Sequence, residues 1–186
     1  MTTFNNLNEI ITNEQAYCLG FFAYIYDSDI SYKIKGIYIY NHLKLFTNFK
    51  KICYFIIYKN NNHKNDDIIT LKIKPNLIND FLTNINNFDN FNDNLKISFI
   101  RGLYEYNSIT FFSNLKNIYF KNPIYLNDVF TKIFKFLEIP YNIDDHESDD
   151  IETIKLITIK SGNNTLYFNK LLYTNTNNNC SLIYLQ

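Results

Sequence analysis

Only four glycines serve the 186 residues, and two of them sit inside apolar segments of helix length. Glu14–Tyr26 reads EQAYCLGFFAYIY around Gly20, and Leu95–Tyr106 reads LKISFIRGLYEY around Gly102. A glycine in a helix interior costs about 1 kcal/mol relative to alanine. Two such positions in a glycine-poor chain imply close backbone approach, most simply one helix against the other. Thr12 and Gln15 have the spacing of a capping box ahead of the first segment, and Asp93 or Asn94 can cap the second.

The two segments open two similar halves. Period-two alternation over Ser31–Tyr40 in the first half, and over Ile109–Phe112 and Asn117–Phe120 in the second, predicts strands. A helix is expected over Asn127–Leu137 with Asn127 as its cap. Its counterpart, Phe49–Tyr58, reads equally as helix or strand. IITLKIK (Ile68–Lys74) then matches IKLITIK (Ile154–Lys160), and each strand leads into a short amphipathic helix, Asn76–Ile85 or Asn164–Tyr173. The halves divide as 1–88 and 89–186, across the polar stretch Asn86–Asn94, and the acidic run Asp144–Glu152 reads as a solvated loop.

Composition excludes several classes. Hydrophobic residues make up 46% of the chain, enough for a core. Asn, Ile, Lys, Tyr and Phe crowd the sequence, as A·T-rich codons dictate, so the asparagine runs are not motifs. Cys18, Cys53 and Cys180 are widely spaced and odd in number, which gives neither a zinc site nor a disulfide framework and points to a reducing, intracellular setting. No secretory signal opens the sequence, and the longest apolar stretch, Ala16–Ile25, is too short to cross a membrane. His42, His63 and His146 lie apart and read as surface residues, and no phosphate-binding glycine loop is present.

The sequence resembles the LAGLIDADG (dodecapeptide) homing endonucleases. Ala16-Tyr-Cys-Leu-Gly20-Phe-Phe is similar to the family's opening motif. Phe99-Ile-Arg-Gly102-Leu-Tyr-Glu105 is similar to its second form, and Phe168-Asn-Lys-Leu-Leu-Tyr173 with Ser181-Leu-Ile-Tyr-Leu185 is similar to its closing segment. The resemblance implies an α+β fold of two αββαββα repeats related by a pseudo-twofold axis. The glycine helices form the central interface, and two antiparallel sheets form a saddle over duplex DNA. It also implies a pseudo-symmetric monomer and Mg²⁺-dependent hydrolysis of both strands, with one acid at the base of each central helix.

The chain departs from the family at those acids. Five residues after Gly20 stands Ile25, and five after Gly102 stands Asn107. Isoleucine offers no ligand, and a neutral amide is a poor substitute for a carboxylate on a hard cation. The small residue that follows the acid is replaced by Tyr26 in one half and Ser108 in the other. Sliding the first motif so that Phe22-Ala-Tyr-Ile-Tyr-Asp27-Ser-Asp29 aligns makes Asp29 the acid, but puts Tyr24 where the close-packed glycine belongs. Glu105 matches the family's first, non-catalytic acid and reads as a polar residue at a helix end.

Lys33 with Lys35, Lys72 with Lys74, and Lys155 with Lys160 are the candidates for DNA phosphates. Against tight binding stand a net charge of zero and a single arginine, Arg101, which the motif places in or beside a central helix. Three functions follow in order of preference. The first is a catalytically inactive, noncatalytic DNA-binding or regulatory factor with no metal. The second is a structural subunit of a protein complex without nucleic-acid contact. The third is a Mg²⁺-dependent endonuclease built on Asp29.

Overall fold

The computed structural model describes residues 12–23, 32–35, 53–58, 68–73, 78–110, 117–146, 154–160 and 162–173. In chain order these form α1 (Asn13–Phe22), β1 (Tyr32–Lys35), β2 (Cys53–Tyr58), β3 (Ile68–Ile73), α2 (Ile78–Asn86), α3 (Asp93–Thr110), β4 (Asn117–Asn122), α4 (Asn127–Leu137), β5 (Asn142–His146), β6 (Ile154–Lys160) and α5 (Gly162–Tyr173). Short 3₁₀ turns at Phe88–Asn90 and Ile124–Leu126 lead into α3 and α4.

Helix α1 starts on the box that its spacing predicts. The Gln15 amide donates to Thr12 Oγ1 at 3.2 Å, and the Thr12 amide donates to Gln15 Oε1 at 3.0 Å. For α3 the cap is Asn92, one residue before the expected pair, and its Oδ1 accepts from the Leu95 amide at 3.0 Å. Asp93 becomes the first helical residue, where its charge complements the helix dipole. Asn127 likewise is not a cap. It begins α4 after the Leu126 turn, and its Oδ1 accepts from Asn122 Nδ2 at 3.0 Å.

Three other segments differ from the sequence expectation. Ile109 belongs to α3, not to a strand. Lengthening an existing helix adds one hydrogen bond for each residue fixed, and a four-residue alternation does not outweigh that. Cys53–Tyr58 takes the strand alternative. Asp144, Asp145 and His146 complete the edge strand β5 instead of lying in a loop, because an edge can carry charged side chains into water. The stretch before α3 is not a bare linker either: Phe88 and Phe91 are buried in it.

The strands form two antiparallel three-stranded sheets, ordered β1-β3-β2 and β4-β6-β5, so each places its last strand in the middle. In the second sheet Ile118, Phe120, Ile157 and Ile159 are buried against helices. The Phe120 ring lies 5.6 Å from that of Phe130 on α4 and 5.9 Å from that of Phe168 on α5. Tyr104 of α3 closes this aromatic cluster at 5.2 Å from Phe168. Lys132 of α4 ties the end of α2 to the core, donating to the Asn86 carbonyl at 2.7 Å and pairing with Asp89 at 3.4 Å.

Candidate functional site

Helices α1 and α3 make the most extensive helix–helix contact of the described residues. Their two glycines face each other's backbones. A Cβ on Gly20 would run into the Phe99 carbonyl, with the carbonyl carbon at 2.8 Å. A Cβ on Gly102 would run into the Tyr17 carbonyl and stand 2.8 Å from the Phe21 amide nitrogen. The expected close crossing of the glycine helices is therefore present, and it is reciprocal.

One turn beyond Gly102 the chain buries a carboxylate. Glu105 is fully buried, in the interior of α3 and not at its end. Its Oε2 accepts from Tyr17 Oη of α1 at 2.5 Å, and its Oε1 accepts from Tyr173 Oη of α5 at 3.0 Å. Reading Glu105 as a terminal polar residue is thus corrected: it joins three helices. Burial first, and then the Glu105 charge, push the Tyr173 phenol well above its ordinary pKa of 10.0. Arg101, one turn earlier on α3, is also buried. Its guanidinium carbon sits 5.3 Å from the Tyr17 ring centroid, and its Nε and Nη2 have no hydrogen-bond partner among the described residues.

This arrangement makes a prediction for alkaline pH. A phenol whose folded pKa is raised contributes stability that is fully present below its unfolded value, about pH 10, and is lost as pH rises beyond it. Tyr173→Phe should lower stability at neutral pH by about 1–2 kcal/mol, through the lost bond to a carboxylate. It should also flatten the decline above pH 10 relative to the parent. Urea denaturation at pH 7, 9, 10 and 11 measures both, and parallel pH profiles would refute the assignment.

Glu105 does not fit a metal. Both of its oxygens accept phenol protons, and no solvent reaches it. Asn107 follows two residues later on α3, and among the described residues no three His, Cys, Asp or Glu side chains gather into a possible metal site. Ile25, Asp29 and Lys74 lie outside the described residues.

The sheets sort the remaining lysines. In the first sheet the register puts Lys33, Lys35 and Lys72 on one side with Tyr54, Ile56, Tyr58, Ile68 and Thr70. The other side carries Ile34, Phe55, Ile57, Ile69 and Leu71. In the second sheet Lys155 and Lys160 are split. Lys160 pairs with Asn117 on the side away from the core, whereas Lys155 pairs with Asn122 on the side of Ile157 and Ile159. The side bearing Lys160 also carries Tyr119, Lys121 and Asn142, which reasoning from lysine spacing alone missed. Asn142 was hidden by its acidic neighbours, and Lys121 by standing alone in its strand.

Two antiparallel three-stranded sheets together with a glycine-contact helix pair define a LAGLIDADG-like fold. Solved structures bear this out. The homing endonuclease I-DmoI in complex with DNA and calcium matches with a TM-score of 0.56 at 18% identity, over 86% of this chain and 89% of that one. Mesophilic variants of I-DmoI match at 0.54 and 16%, over 86% and 95% of the two chains. The N-terminal LAGLIDADG domain of WhiA matches at 0.51 and 17%, over 93% and 94%. No protein-family model and no curated protein matches the sequence. Among the described residues no helix is long and apolar enough to cross a membrane.

Proposed function

We propose that the chain is a two-repeat LAGLIDADG-like scaffold, with repeats 1–88 and 89–186, that binds duplex DNA without cutting it. The repeat reading is supported by the matching strand orders and the reciprocal glycine contact. A saddle of the two sheets would then lay its lysine-bearing sides on the duplex, as suits a scaffold shared with I-DmoI, which has been solved in complex with DNA. Lys33, Lys35, Lys72 and Lys160 are the phosphate contacts of this proposal, joined by Lys74 beyond the end of β3 and by Lys121. Lys155 is left out by its side of β6.

The observation that carries the noncatalytic part is the fate of the acid on α3. The acid of α3 nearest in sequence to the expected position is Glu105, and two tyrosines hold it inside the protein. The residue at the position itself is the amide Asn107. The test is duplex binding followed by fluorescence anisotropy over a salt series, with and without Mg²⁺. Binding should weaken with salt, be indifferent to Mg²⁺, and lose about one unit of salt slope on Lys160→Ala. Failure to bind any duplex at about 50 mM salt would turn the assignment to an assembly subunit, which the balanced net charge also suits.

A further inference from the structure

We infer that the second sheet reads A·T-rich duplex, and that Asn142 is its principal base-reading residue. The inference rests on the DNA-binding proposal and adds the class of sequence bound.

The first step is the missing guanidinium. Guanine is read best by an arginine fork on O6 and N7. This chain has one arginine, and Arg101 is 2% exposed, packed over the Tyr17 ring between the central helices. No arginine can therefore reach a base from either sheet. The remaining basic side chains are lysines, compact charges that can also donate to guanine but lack the planar fork of arginine, and the DNA-binding proposal places them at the phosphates, where they carry no sequence information.

The second step is what the side of the second sheet opposite Phe120 and Ile157 offers in place of arginine, where Asn142, Asp144 and Lys160 are exposed around a buried Thr158. Asn142 is exposed on edge strand β5, in register with Thr158, which in turn pairs with Tyr119. A carboxamide matches the N6 donor and N7 acceptor of adenine in two parallel hydrogen bonds. One residue pair along, half-buried Leu156 lies between Lys121 and Asp144. It supplies an apolar surface of the kind that meets the thymine methyl. Asn117 is less suited to reading, because its Nδ2 already donates to Tyr119 Oη at 3.0 Å. Among the described residues Asp144 is the one acid on this side; it could accept from cytosine, but its charge faces the phosphate field and opposes close approach. The asparagine content and the single arginine fit an A·T-rich coding sequence. The chemistry of the resulting surface is the same whatever its origin.

The experiment measures the full chain against two duplexes of equal length, one of alternating A·T and one of alternating G·C, at one salt concentration. The A·T duplex should bind about tenfold more tightly. Asn142→Ala should pull the two affinities together, chiefly by weakening A·T binding, and leave the salt slope unchanged. Asn142 is exposed, so the variant should fold as the parent does. Equal affinities, or a G·C preference, would overturn the inference and leave DNA binding standing. An A·T preference that survives Asn142→Ala would overturn the role of this residue. Failure to bind either duplex would overturn the DNA-binding proposal itself.

Discussion

Gly102→Leu should cost about 3 kcal/mol or more of folding stability, because the new side chain has nowhere to go. A Cβ at this position already stands 2.9 Å from the Tyr17 carbonyl carbon. What it meets is helix backbone, which cannot rotate away as a side chain would. Overpacking of side chains alone costs about 1–3 kcal/mol, and separating two helices also disturbs the Glu105 bonds to Tyr17 and Tyr173. At this chain length the loss corresponds to a fall in Tm of roughly 6–12 °C. Gly162→Ala is the control, since a Cβ there meets nothing within 4 Å. Its Tm should stay within about 2 °C of the parent.

Reciprocity sharpens the test. Gly20→Ala and Gly102→Ala should each destabilise, and the double variant should lose less than the sum. Once one Cβ has pushed the helices apart, the other finds part of its space already open. Strict additivity, or a Gly102→Leu chain as stable as the parent, would place the two glycines in separate surroundings.

The sequence made this contact legible for a physical reason. Glycine is expensive inside a helix, so its presence there marks a constraint that no other residue type meets. The Thr12–Gln15 box was legible in the same way, because both of its hydrogen bonds are local. Glu105 was not. Its partners lie 88 and 68 residues away, and nothing near it in the chain announces burial. Counting from the motif also suggested that α3 ends close to Glu105, whereas it runs on to Thr110. The sheets fall between these cases. Alternation placed β1, β3, β4 and β6, but Lys155 and Lys160, grouped as one phosphate-binding pair, stand at an odd spacing that puts them on opposite sides. That Lys160 shares a side with Asn142 is a matter of register between β5 and β6. Register is set by pairing across the sheet and leaves no mark on one strand alone.

The chain should leave DNA intact. Incubated with supercoiled plasmid in Mg²⁺ and then in Mn²⁺, the purified protein should yield no linear product above the no-protein control. The reason is chemical. A hard divalent cation needs anionic oxygen, and the positions that the LAGLIDADG resemblance gives to the acids hold an isoleucine and an amide, Ile25 and Asn107. Glu105 cannot stand in, since releasing it would strip buried Tyr17 and half-buried Tyr173 of their acceptor and expose a carboxylate that the fold has enclosed. Restoring the acids by Ile25→Asp with Asn107→Asp should give at most slow nicking, because Tyr26 and Ser108 still occupy the places of smaller neighbours. The decisive comparison is with Asp29→Asn. Metal-dependent linear product from the parent, abolished by Asp29→Asn, would show that the first motif is read from Phe22 and that Gly20 contacts Phe99 without marking the catalytic register.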